Sequence, residues 1–355
     1  MYYAVIMAGG TGTRLWPLSR KSMPKQALKL IGDRTLIRHA VERVLPIFGP
    51  KRIMIATRTE YADILHSQVP EIPLENFILE PEGRGTAPAI GLAAVHIRRK
   101  DPEAIMAVLT ADHFISRVDH FREALGAAEH WAAQGFLVTL GIRPSSPSTG
   151  FGYIKQGKEL GVSRGLPAFL VERFIEKPDR EKAVSMKESG DYCWNSGMFI
   201  WRVGAILDEF KRQMPICHEL LESIGAVIGG PDYRRRLTDL WPKAPKQTID
   251  YGIMEGARNV VVVPVDIGWT DVGSWSSLFQ TLECDALGNL SIGPSIRIDT
   301  RNTLTFGKKL IAAIGVSDLV VVDTDDALLI CPREREQDVR EIVRRLEDSG
   351  QGALL

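Results

Sequence analysis

Through the first two-thirds of the chain, short apolar runs rich in β-branched residues alternate with stretches of helical periodicity. That alternation restricts the fold to α/β, with helices covering a mainly parallel sheet. Strands are expected at residues 3–7, 52–56, 77–79, 104–109 and 136–140. Helices are expected at 36–44, with Thr35 as N-cap, and at 87–99 after Thr86, with Pro88 tolerated in the first turn. Both would start beside strand ends, where open α/β sheets bind ligands. The turn-rich stretch 141–152 interrupts the order as a loop. After it come a strand at 169–176, a helix at 181–189, the tract 194–201, a helical region from 203 to about 224, and a branched apolar strand at 260–265. From residue 285 the texture changes to short strands with polar turns at 295–298, 303–306, 310–314, 319–323 and 327–331. A helix at 334–346 closes this unit, with Val339, Ile342, Val343 and Leu346 on one face. The reading is therefore a large α/β unit, residues 1–284, and a small β-rich unit, 285–355.

Composition narrows the partners. Lys plus Arg and Asp plus Glu are both 44, so no broad positive field is available to a nucleic acid, and any phosphate site must be local. The N-terminal apolar run lacks a basic leader and passes straight into glycines, and no later run is long enough to span a bilayer. Cys193, Cys217, Cys284 and Cys331 show no ligand spacing, which fits a reducing cytoplasm.

Directly after the first strand comes Ala8-Gly9-Gly10-Thr11-Gly12-Thr13-Arg14. Glycines there let backbone N–H groups approach an anion, and Lys25 lies within reach if the loop folds back. The run is neither a Walker loop nor a dinucleotide fingerprint, and taken alone it also suits an ordinary tight turn. Asp112, after the strand at 104–109, and Asp271, in the tract 268–275, could hold a divalent cation beside phosphates, or each could be a cap or turn carboxylate. His113 reads as a structural hydrogen-bonder. Glu172 and Lys177 lie on a strand tract ended by Pro178, and Asn195 sits among aromatics, a mixture that suits a sugar or a packed bend.

In order along the chain, Ala8 to Arg14, Pro24-Lys25-Gln26, Glu80-Pro81 with Thr86-Ala87-Pro88-Ala89, Asp112-His113, Gly150 to Ile154, Phe174 to Pro178, Trp194 to Phe199, Asp250 to Glu255 and Gly268 to Trp275 resemble the nucleoside-diphosphate-sugar pyrophosphorylases, in their mannose-1-phosphate guanylyltransferase branch. The resemblance implies a Rossmann-like nucleotidyltransferase domain with a left-handed β-helix-like tail, and transfer of GMP from GTP to mannose 1-phosphate. It implies that Ala8, Gly9, Gly10, Thr11, Gly12, Thr13, Arg14 and Lys25 hold the nucleotide phosphates, with Arg14 and Lys25 catalytic, and that Thr86, Ala87 and Pro88 lie near guanine. Asp112 and Asp271 would hold Mg²⁺. Asp112, Gly152, Glu172, Asn195 and Asp250 would line the mannose site, and Lys177 would meet its phosphate. A homodimer contact through the β-rich tail is expected, as is a monofunctional enzyme without the isomerase domain of longer members. Gly85 stands where the family commonly has Asn. A sibling enzyme with another sugar or base, or a non-catalytic sugar-nucleotide sensor, are the alternatives the residues leave open.

Overall fold

The computed structural model describes residues 1–355. Its large sheet has nine strands: β1 (Tyr2–Met7), β2 (Ile53–Arg58), β3 (Phe77–Glu80), β4 (Ile105–Thr110), β6 (Leu137–Ile142), β7 (Tyr153–Ser163), β8 (Leu166–Ile175), β9 (Tyr192–Arg202) and β10 (Val260–Val265). Their order is β3-β2-β1-β4-β9-β6-β10-β8-β7. The half β3-β2-β1-β4 is parallel throughout, and β10 is parallel to β6, whereas β9 runs antiparallel between β4 and β6. The sheet is mixed. Outside it, β5 (His113–Ile115) pairs antiparallel with β11 (Trp269–Asp271).

All five strands expected in the first 140 residues form, because their buried apolar side chains pack both faces of the sheet. Helices α1 (Leu36–Phe48), α2 (Ala62–Gln68), α3 (Thr86–Lys100) and α4 (Val118–Ala132) connect them. Thr35 caps α1 through a bond from the Arg38 amide, 3.4 Å. Thr86 instead opens α3 with Gly85 as N-cap, and its hydroxyl accepts from Ile249 N at 2.9 Å. Helix α5 (Arg180–Ser189) is as expected. The helical region after 203 divides into α6 (Val203–Gln213) and α7 (Pro215–Gly225), because Pro215 cannot continue the ladder. Short helices α8 (Tyr233–Leu240) and α9 (Ile249–Gly252) follow. No helix is long and apolar enough to cross a membrane.

The tail stacks β12 (Leu290–Ile292), β14 (Leu304–Phe306) and β16 (Leu319–Asp323) in parallel, with β17 (Leu328–Pro332) antiparallel at the end. Beside them β13 (Ser295–Ile298) pairs in parallel with β15 (Ile311–Ile314). Leu290, Leu304 and Val320 stand in register inside this β-helix-like coil. The expected closing helix begins as a 3₁₀ turn and becomes α10 only at Val339–Asp348. One core unites the coil with the large unit: Leu15, Trp16, Val272 and Trp275 pack with Leu290, Leu304, Val320, Val322 and Val339.

Candidate active site

Strand β1 delivers the chain into the glycine loop at the C-terminal edge of the parallel half. Ala8 is held to β2 by its amide on Ala56 O, 2.8 Å, and by Thr57 Oγ1 on its own carbonyl, 2.9 Å. The loop then folds back as expected. Gly12 has φ +68°, and a Cβ there would stand 2.4 Å from the Lys25 Cβ, so only glycine lets Lys25 lie across the turn. Lys25 is 4% exposed. Gly10 backs onto the Gln26 amide, and Gly9 onto Glu80. A Cβ on Gly273 would meet Arg14 Nη2 at 2.9 Å and Asp271 Oδ2 at 3.1 Å, which places the Arg14 guanidinium beside Asp271. The loop has thus brought Arg14 and Lys25 to one carboxylate cluster.

That cluster is built by the β5–β11 pair. Asp112 occupies the turn between β4 and β5, and Asp271 lies directly across from His113. Lys25 Nζ donates to Asp112 Oδ2 at 2.9 Å and stands 3.8 Å from Asp271 Oδ1. Burial would push the Asp112 carboxyl up, but the Lys25 ammonium outweighs it, with help from His113, and holds it well below the usual carboxylate range. Ligand atoms from Asp112, His113 and Asp271 lie within 4.8 Å of one another. The His113 ring is lowered by burial, against the pull of Asp112 and Asp271, and its Nδ1 has no partner. Two carboxylates with partly exposed side chains and an unpartnered buried imidazole suit a divalent cation.

A second cluster lies beyond an aromatic partition. Phe151 meets Trp194 at 5.0 Å and Trp269 at 5.2 Å, and Trp269 meets His113 at 5.2 Å between ring centroids. Behind the partition, Asn195 Nδ2 donates to Asp250 Oδ1 at 2.8 Å and the Asn195 amide to Gly152 O at 2.8 Å. A Cβ on Gly152 would fall 2.3 Å from Glu176 Oε2, an oxygen with no partner, while Lys177 Nζ donates to Glu176 Oε1 at 2.7 Å. Burial and the neighbouring Glu176 push Asp250 up to about 6, against the Asn195 hydrogen bond.

Gly152, Lys177, Asn195 and Asp250 are therefore brought together, but Glu172 is not. It sits four residues before Glu176, roughly 13 Å at strand rise, and its carboxylate pairs with Lys155 at 2.8 Å. Glu176 takes the place expected of Glu172, and its adjacency to Lys177 was the signal available in the sequence.

The segment beyond β3 forms the third wall. Gly85 has φ +87°, and a Cβ there would strike Gln247 O at 2.3 Å, so glycine lets residues 247–249 lie on the start of α3. Ala87 N completes that contact by donating to Gln247 O at 3.1 Å. Thr86 is exposed at the helix end, whereas Ala87 and Pro88 are buried beneath it. Glu80, to which no role was assigned from the sequence, is buried against Gly9 and raised to about 7 by desolvation, with Arg58 opposing.

Residues 3–286 match the Nucleotidyl transferase family, and residues 293–346 match the MannoseP isomerase/GMP-like beta-helix domain. Over 98% of its length the chain is 41% identical to the Xanthan biosynthesis protein XanB of Xanthomonas campestris pv. campestris, covering 73% of that protein. It is equally similar, at 41% over 98%, to the mannose-1-phosphate guanylyltransferase of Escherichia coli K12, covering 74% of it. Among solved structures, a Thermus thermophilus protein described as a mannose-1-phosphate geranyltransferase superposes with a TM-score of 0.88 at 36% identity, over 98% of this chain and 99% of its own.

Proposed function

The chain belongs to the nucleotidyl transferase family, and from that premise we propose that it transfers GMP from GTP to α-D-mannose 1-phosphate, yielding GDP-mannose and pyrophosphate. The observation that carries this reading is the cluster of Lys25, Asp112 and Asp271, with Arg14 beside it, standing between the glycine loop and the carboxylate-lined pocket of Asn195, Glu176 and Asp250. One half is suited to a triphosphate and the other to sugar hydroxyls.

The acceptor phosphate is already ionised at neutral pH, so no protein base is needed. One of its oxygens attacks the α-phosphorus in line, a new P–O bond forms, the bond to the β-phosphate oxygen breaks, and pyrophosphate leaves with the electron pair. Arg14 and Lys25 neutralise the charge that builds on the leaving group, and loop amides from Ala8 to Thr13 orient it. Asp112 and Asp271, with His113 in reach, would hold Mg²⁺. When bound, that ion supplies Lewis-acid charge neutralisation at the phosphate oxygens. Gly152, Asn195, Glu176 and Asp250 bind the mannose hydroxyls, and Lys177 its phosphate. Thr86 and the start of α3, with Ala87 and Pro88 beneath, back the guanine together with Glu80.

The test is pyrophosphate release from each nucleoside triphosphate with a panel of sugar 1-phosphates. GTP with mannose 1-phosphate should exceed every other pair, and release from no pair would sink the reading. We place the boundary between the two units at residues 284 and 285 and the enzyme in the cytoplasm, where its four unpaired cysteines stay reduced. The apolar faces of β13 and β15, with Ile296, Ile298 and Ile314 each more than half exposed, are proposed to meet a second copy of the chain. A strict monomer by light scattering would contradict that contact.

A further inference from the structure

Between the two cations assigned to the triphosphate, the loop carries two more, Arg20 and Lys21; Lys21 is exposed beside Glu347, whereas the Arg20 side chain is only 12% exposed and is paired with Asp326. Its Nη1 donates to the carbonyl of Leu354, and its Nη2 to Asp326 Oδ1 at 2.6 Å. Its guanidinium lies 5.5 Å from the centre of the Trp16 ring. The Trp16 indole donates to the same Leu354 carbonyl at 2.8 Å, and the Trp16 carbonyl in turn accepts from the Trp275 indole at 3.3 Å. Ser276, next to Trp275, is fixed by its amide on the buried carboxylate of Glu336. Backbone bonds between Arg20 and Met23, 2.9 and 3.1 Å, close the turn that delivers Lys25. The segment around Leu354 therefore grips the loop midway between Arg14 and Lys25, and the same contacts reach the tract that carries Asp271.

We infer that Arg20 and Trp16 are positioning residues, seating the Leu354 segment under the glycine loop so that Arg14 and Lys25 stay preorganised for the triphosphate. The inference rests on the proposed GTP-dependent reaction for its kinetic readout. A loop released from this seat must be ordered by the nucleotide at the moment of binding, which weakens GTP binding and leaves the cations less well aligned. None of the seat's hydrogen bonds involves Gly152, Glu176, Lys177, Asn195 or Asp250, the residues proposed for the mannose pocket.

Arg20→Ala, Arg20→Lys and Trp16→Phe test this. In Arg20→Ala, kcat should fall roughly tenfold and KM for GTP rise several-fold, the scale of one lost charge-assisted hydrogen bond. KM for mannose 1-phosphate should stay within twofold. Trp16→Phe, which keeps ring packing and deletes the N–H, should shift the same constants less. Arg20→Lys, able to reach one acceptor, should recover part of the loss. Hydrogen exchange of the substrate-free proteins should rise across residues 18–25 in Arg20→Ala. Constants within twofold of the parent, or a lowered unfolding temperature with kinetics unchanged, would overturn the inference. Faster exchange at 18–25 in a protein inactive toward GTP and mannose 1-phosphate would uphold the seat while refuting the assigned reaction.

Discussion

Asp250→Asn should make the protein more stable and less active, with a pH dependence that identifies the cause. Asp250 faces Glu176 in a largely desolvated pocket, and its carboxyl is raised from 3.8 to about 6. Because the folded-state pKa lies above the unfolded one, the folded chain holds the proton more tightly. Below pH 3.8 both states are protonated and the group costs nothing; the penalty grows up to about pH 6 and is constant above it. A shift of about two units corresponds to about 3 kcal/mol, trimmed toward about 2 by the water that reaches a partly exposed carboxylate. The amide is nearly isosteric, and its oxygen can still accept from Asn195 Nδ2, the 2.8 Å bond seen here. The variant should therefore gain about 2 kcal/mol in urea unfolding near pH 7.5 and only about 1 kcal/mol or less near pH 4.5. KM for mannose 1-phosphate should rise at least tenfold while KM for GTP holds. An equal gain at both pH values, or a loss near pH 7.5, would refute the argument that an uncompensated charge is stored there.

Gly12→Ala combines left-handed backbone strain, about 1 kcal/mol, with the 2.4 Å approach to Lys25 Cβ; turnover should drop at least a hundredfold while circular dichroism stays that of the parent, and near-normal rates would contradict the placement of Lys25. Asp112→Asn should abolish turnover and weaken Mn²⁺ binding, followed by electron paramagnetic resonance, by tenfold or more; unchanged Mn²⁺ affinity would remove Asp112 from the cation site. Glu176→Gln should raise KM for mannose 1-phosphate about tenfold, one hydrogen bond to a charged group, whereas Glu172→Gln should change it less than twofold. The reverse pattern would restore Glu172 to the proposed sugar pocket.

The parallel half of the sheet was legible because its strands are buried on both faces and so read as continuous apolar runs. Strand β7 was not, since Lys155, Gln156, Lys158 and Glu159 lie on an edge hairpin whose outer face meets water and whose sequence looks like a loop. The choice between Glu172 and Glu176 depended on that same hairpin. Its register slips at three places between Lys155 and Gly161, and only the observed pairing of Tyr153 with Ile175 sets Glu176 against Gly152. Residue spacing cannot report a bulge on a partner strand. Gly85 posed a related problem, because its reason lies in the Gln247 carbonyl, a contact far along the chain. Arg14, Lys25, Asp112 and Asp271 were readable as types, but that they converge depends on β11 crossing to β5.

The two carboxylate pairs in this cleft show how one neutral chain can present opposite sites a few side chains apart. Asp112 is held ionised because Lys25, folded over Gly12, stands at hydrogen-bond distance, and an ionised hard oxygen is what a divalent cation takes. Asp250 has no such cation on it: its hydrogen bond comes from a neutral amide, and Lys177 is engaged by Glu176 instead. A carboxyl titrating near neutrality binds metal poorly, but can accept from or donate to sugar hydroxyls as the partner requires. The position of Lys25 thus decides which pair is held ionised and so suits the Mg²⁺ proposed above. Moving its charge from the Asp112 side should erase that distinction, so Lys25→Met should raise the Asp112 pKa as well as abolish turnover, and a titration of Asp112 unchanged from the parent would show that the contrast has another source.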